Sequence, residues 1–360
     1  MIWNIERFNS KGASGWLVTN DPVETPRLLL YFHPGNWTPL ECNVSRPDVK
    51  AVGAHATGLC GFRLDARMMA RAAKTPVTAI FEERTRLLLY RFVPDRSFIK
   101  GQVLFLTFPA SYPNPLVEDL KTRFQLGYSQ AERIDRNTRT YMFDIRFTDS
   151  ILIAGTLKGD EALQVADQDR FRLVTQFSPP AEALAQRLDR MCEIAVHPEH
   201  GATFLTGSLY GPLTASLMKA DLSQPEALAH WYENLSEQDR LLLSDPVVRQ
   251  LSSAAPHYMI DEAHLVQALR LLSRFSAIGT TEQPEQFIDL LRDSFGIDDT
   301  DLPDGAGHPA LSTRAAILAG SDALKKLTIF DQKLYDLVGL TLGKGDPKME
   351  DARAILARRA

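Results

Sequence analysis

From Gln102 onward the chain alternates short apolar runs with amphipathic stretches, and this alternation restricts the fold more than any other feature. Residues 103–108 read as a strand and are followed by a helix from about Pro115. Residues 140–147 and 151–155 read as extended. A helix is expected near 159–166, then a strand over 171–177 and a helix from Pro180 to about Ile194. Strands and helices in alternation pack as β-α-β units, so a mostly parallel sheet flanked by helices is expected. Such sheets bind ligands outside the carboxyl ends of their strands, which puts residues 109–114 and 178–179 at the expected mouth.

The first hundred residues follow another pattern. GWLVT, RLLLYF, GFRL, VTAIF and RLLLYRFV are rich in aromatic, leucine and β-branched residues, with Asn-Asp-Pro, Pro-Gly-Asn and Arg-Pro-Asp breaks between them. That is the punctuation of antiparallel strands, and a small β-sandwich or barrel is expected. From Gly211 the chain is mainly helical, with apolar residues at three- and four-residue spacing over 225–235, 261–275, 284–295, 312–327 and 331–340. FSAIGTTE, residues 275–282, reads as a buried strand returning to the sheet. The expected organisation is an all-β domain over 1–97, an α/β domain over 98–345 and a polar tail over 346–360.

Composition narrows the partners. A net charge of -5 argues against broad capture of nucleic acid, which needs a basic face. No run of eighteen apolar residues appears, so no membrane span is expected. Charges stand where a signal peptide needs an apolar stretch, and three widely spaced cysteines, Cys42, Cys60 and Cys192, fit neither a disulfide framework nor a zinc site. A cytoplasmic setting is expected.

In many α/β proteins the break after the first parallel strand cradles a phosphate with glycine, lysine and a hydroxyl. Here, in VLFLTFPASYPNPLVEDLKTRF, it is Pro-Ala-Ser-Tyr-Pro-Asn-Pro. Asn114 followed by Pro115 is a strong helix start, with Asn as cap and proline at the first helical position. The Asn side chain then takes the place an anion would otherwise hold at that helix end.

Several further segments fall in a recognisable order. Ile153-Ala154-Gly155-Thr156 precedes a short helix and the strand RFRLVTQF. Then come Phe177-Ser178-Pro179-Pro180 with Gln186 downstream, SDPVVRQLS, FSAIGTTEQPEQFIDLLRDSFGI and IFDQKLYDLV. This order, from about Val103 to Val338, resembles the carbohydrate sulfotransferase family and its P-loop-like fold. The resemblance implies sulfuryl transfer from 3'-phosphoadenosine-5'-phosphosulfate to a hydroxyl of a glycan or cell-surface polysaccharide. That chemistry needs a cation and amide donors at the departing phosphate and a base at the acceptor.

The chain departs from the family at each such position. The loop lysine is Ala110, and Pro113 and Pro115 bring no N–H. The two 3'-phosphate positions are Ser178 and Gln186, and the histidine position is Thr156. Joint loss implies lost donor binding, hence a pseudoenzyme for which no cofactor is expected. The alternative is a non-catalytic glycan-binding or partner-binding protein on the same scaffold. If a donor site is retained, the resemblance places it at Ser111, Asn114 and Ser178, with Lys158 and Arg249 as candidates for holding an anionic substrate. The catalytic residue is left unassigned.

Other features carry less. His197 and His200 have a His-x-x-His spacing, but with proline and glycine around them they read as a loop rather than a metal site. Arg133, Arg136 and Arg139 read as paired surface charges before an anion patch. Glu282 reads as turn geometry. Trp16, Tyr31, Phe32, Trp37 and Phe62 offer rings for sugar stacking or, more plainly, for core packing, with Trp37 the one expected to be exposed.

Overall fold

The computed structural model describes residues 1–94, 97–108, 114–196, 210–220, 224–296 and 312–342; the expected tail over 346–360 lies outside them. Contacts divide the chain into two compact units. One comprises Met1–Gln102, Leu120–Tyr128 and Ile134–Ile153; the other Val103–Asp119, Ser129–Arg133 and Ala154–Ala360.

Among the described residues the first unit carries eight antiparallel strands: β1 (Ile2–Asn9), β2 (Gly12–Val18), β3 (Arg27–Phe32), β4 (Asn36–Glu41), β5 (Val44–Ser45), β6 (Leu59–Leu64), β7 (Thr78–Glu82) and β8 (Leu88–Phe92). They form two sheets, ordered β1-β2-β6-β5 and β4-β3-β7-β8. In β3, Leu28, Leu30 and Phe32 are buried while Arg27 and Tyr31 alternate with them on the other face. Trp3 is fully buried, and its indole N–H donates to Leu89 O at 3.2 Å. Gly15 is required in β2, because a Cβ there would lie 2.1 Å from Asn4 O.

Five more strands form a parallel sheet: β9 (Gly101–Leu106), β10 (Leu126–Tyr128), β11 (Ser150–Gly155), β12 (Phe171–Phe177) and β13 (Ala277–Thr280). Their order is β10-β11-β9-β12-β13. Leu126 pairs with Ile151, and Val174 with Ala277, in parallel register. Residues 103–106 and 151–154 are buried at every position, as strands covered on both faces require. The protein is α/β, with antiparallel sheets toward its amino terminus. Chain connections from β9 and β12 run to opposite edges, so the crevice between their carboxyl ends is the topological switch point.

Two expectations fail locally. Residues 140–147 are not extended: the helix Arg136–Phe143 occupies the first half of them, capped by Asp135, whose carboxylate accepts from Thr138 N at 3.0 Å. The β-like composition of TYMF is overridden by this cap and by burial of Thr138, Met142 and Phe143 on one helical face. The single helix expected over 312–327 is two, Thr313–Ala319 and Asp322–Leu327. The chain breaks at Gly320, and Ser321 caps the second helix through Ala323 N. Leu184, Leu188, Leu213, Leu228, Leu243, Leu318 and Leu324 fill one helical core of the second unit.

Candidate functional site

At the switch point the Phe108 and Phe177 rings stack with centroids 5.1 Å apart and planes 25° from parallel. Ser111, with the rest of 109–113, lies outside the described residues. Asn114 opens the helix Pro115–Arg123. Its side-chain oxygen accepts from Leu116 N at 2.9 Å, and its backbone oxygen takes the first helical bond, from Glu118 N. The Asn114 side-chain amide donates to Gln176 Oε1 at 3.3 Å, and Gln176 Nε2 reaches Thr280 O at 3.4 Å. Asn114 thus fastens the helix start to β12, and through Gln176 to β13.

The helix Gly159–Ala166 begins at the same edge. Lys158 occupies its cap position, exposed and without a capping bond. Ser253 supplies the cap instead, accepting from Asp160 N at 2.7 Å and donating to Asp160 Oδ1 at 3.0 Å. Gly159 permits this approach, since a Cβ there would lie 1.9 Å from Leu251 O. Thr156 N donates to Glu132 Oε2 at 2.9 Å, and the Thr107 and Thr156 hydroxyls are 3.5 Å apart. Gln250 Nε2 closes over β9, donating to Thr107 O at 2.9 Å and Leu157 O at 2.8 Å. Ser178 is half-buried just beyond β12, and Gln186 is buried in the helix Pro180–Val196.

Arg249 is 8% exposed, and its guanidinium is held by its own turn. Nη1 donates to Ala255 O at 2.7 Å and Tyr258 O at 2.8 Å, Nε to Ser244 O at 3.3 Å and Nη2 to Ser244 Oγ at 3.1 Å. Burial pulls its pKa down. Arg136 and Arg139 fall on the helix Arg136–Phe143, where Arg139 donates to Ile134 O at 3.2 Å.

Glu282 lies in the turn just after β13. Tyr335 donates to Glu282 Oε2 at 2.6 Å. Burial raises the phenol pKa first, and the bond to Glu282 and the charges of Glu282 and Glu182 raise it further, so Tyr335 stays a donor. Glu282 therefore has a defined hydrogen-bond partner as well as its place in the turn after β13.

Asp245 and Asp331 were not singled out by sequence, although both lie in segments that carry the family resemblance. Asp331 is 2% exposed, and its pKa is pushed up to about 7, by burial first and by the Asp245 charge second. Perturbed carboxyls often mark active sites. Here both side chains accept from backbone amides at helix starts, which is a structural duty. An aspartate just before a proline, Asp245-Pro246, was the available sequence signal; its partner was not.

Among the described residues no three His, Cys, Asp or Glu side chains come together to hold a metal, and no helix is long and apolar enough to cross a membrane. His197 and His200 lie outside those residues. The three cysteines are free and buried, and burial pushes the Cys42 thiol up to about 12. Fold and site define an α/β protein whose switch-point edge is closed by side-chain caps and carries carboxylates. No family model, curated protein or solved structure matches the chain.

Proposed function

We propose that the chain is a sulfotransferase-like protein of glycan or polysaccharide biology that has given up the sulfuryl-donor site and works as a non-catalytic binding protein. The observation that carries this reading is the capping of two helix starts at the sheet's carboxyl edge, those of Pro115–Arg123 and Gly159–Ala166. Asn114 takes the amide of one and Ser253 that of the other. A phosphosulfate needs such amides free and a cation beside them. Arg249 is committed to the turn 244–258, and Glu282 adds negative charge near the edge. Thermal unfolding with and without millimolar adenosine 3',5'-bisphosphate tests the reading, because a ligand of the folded state raises its stability. No shift is expected.

One observation favours a second reading, a sulfotransferase with a rearranged donor site that still uses 3'-phosphoadenosine-5'-phosphosulfate. Lys158 is exposed at the head of the helix Gly159–Ala166, an available cation at a helix start. In that case the bisphosphate stabilises the protein by several degrees and Lys158→Ala abolishes the shift.

A further inference from the structure

We infer that the β3–β4 and β7–β8 hairpins form a binding platform for a neutral pyranose-based saccharide, centred on Trp37. The inference rests on the proposed glycan-binding role and gives it a place.

Trp37 is 49% exposed on β4, an edge strand of its sheet. It pairs across the ladder with Tyr31, their ring centroids 4.8 Å apart, and Phe81 on β7 lies 5.5 Å away. The three rings stand on one sheet face, since residues two apart along a strand and directly opposite on its neighbour share a side. Tyr31 OH is hydrogen-bonded to His33 Nδ1 at 3.1 Å, and the Arg86 guanidinium sits over the Trp37 ring, 5.4 Å from its centroid.

The platform is held before any ligand arrives. The Glu82 carboxylate accepts from Arg84 N at 2.9 Å and from Thr85 N at 2.6 Å, fixing the turn that carries Arg86 at φ 59. Preorganisation of this kind removes part of the ordering cost of binding.

The chemistry selects a saccharide. A pyranose presents a face of C–H groups that packs on the exposed half of the indole, and a rim of hydroxyls that needs planar donors and acceptors. Arg86, His33 and the Tyr31 hydroxyl provide that rim. The exposed area of Trp37 itself, roughly 120 Å² taking about 250 Å² for the whole side chain, suits a sugar ring and is small beside about 800 Å² per partner for a stable protein interface. Strand addition to β4 is also opposed, because Pro39, in the middle of this edge strand, has no N–H. Of the four tryptophans, Trp3 and Trp231 are buried and Trp16 is half-buried, so Trp37 is the fluorophore open to a ligand.

The test is titration of the full chain with cellohexaose, maltohexaose and chitohexaose, followed by tryptophan fluorescence and calorimetry, with sedimentation run in parallel. Binding of at least one hexasaccharide is expected, weakened tenfold or more in Trp37→Ala and less in Tyr31→Phe. Both variants should unfold within a few degrees of the parent, and Trp37→Phe, which keeps a ring, should retain most of the affinity. Absence of binding by all three at 10 mM would overturn the inference, as would binding unchanged in Trp37→Ala. Trp37-dependent self-association without sugar binding would overturn it in favour of a second copy as occupant. The bisphosphate experiment reads the switch-point edge alone, so either idea can fail while the other stands.

Discussion

Asp245 and Asp331 cap each other's helices. Asp245 Oδ1 accepts from Phe330 N at 2.7 Å and Asp331 N at 3.0 Å, at the start of the helix Ile329–Leu342. Asp331 in return accepts from Val247 N at 3.1 Å and Val248 N at 2.8 Å, at the start of the helix Pro246–Leu251. Two helix termini far apart in sequence are thus tied by one exchange. Asp331→Asn should destabilise the fold by about 1–3 kcal/mol, because an amide keeps one acceptor and turns a donor toward an N–H. Asp245→Asn should couple to it non-additively in a urea double-mutant cycle. Simple additivity would show that the exchange is not a unit.

The same pair sets a pH dependence. Asp331 titrates at about 7 in the fold, whereas an unfolded aspartate titrates near about 3.9. The fold therefore binds more protons than the unfolded chain between those values. Its contribution is full below about pH 4 and is lost as pH rises through about 7. Urea midpoints of the parent should fall relative to Asp331→Asn between about pH 5 and 8. A parent that gains on the variant over that window would contradict the assignment.

Asn114→Ala should lower stability by about 1 kcal/mol, the ordinary value of an N-cap. Asn114→Asp keeps the acceptor and places a negative charge at a helix amino terminus but loses the donor to Gln176 Oε1, so its stability should fall between those of the parent and Asn114→Ala. Equal melting of all three proteins would remove the self-capped start from the account.

Arg249→Lys separates a structural arginine from a ligand-binding one. A lysine cannot reproduce the planar fork that reaches Ser244, Ala255 and Tyr258 together, so a loss of about 2 kcal/mol is expected. Hexasaccharide affinity, measured by calorimetry, should not change. Weakened sugar binding at unaltered stability would return Arg249 to the ligand.

Gly159→Ala places a methyl 1.9 Å from Leu251 O, a backbone atom that cannot swing aside. Overpacking of this kind costs about 1–3 kcal/mol, readable as a shifted urea midpoint. A neutral substitution would mean that the close approach of these two segments is not required.

The alternation of 103–177 was enough to reveal a parallel sheet, and FSAIGTTE to reveal its last strand, because strands buried on both faces must be short and continuously apolar. Trp37 was legible as an exposed ring, but for another reason than the break HPGNWTP: it stands on the edge strand β4 and is half-exposed there. The helix Arg136–Phe143 was missed, since its Asp135 cap and one buried face outweigh the β-like residues within it.

By itself the sequence determined local rules: most of the runs that are strands, where Asn114 and Pro115 begin a helix, and that the break 109–115 holds neither lysine nor glycine. Tertiary structure alone decided which group meets which helix end. Ser253 reaches the start of the helix Gly159–Ala166 across 93 residues, and Asp331 reaches Val248 across 83. The physical reason is that a helix start presents unpaired amides that must find an acceptor. Composition shows that the acceptors exist, and only packing brings each to its amide.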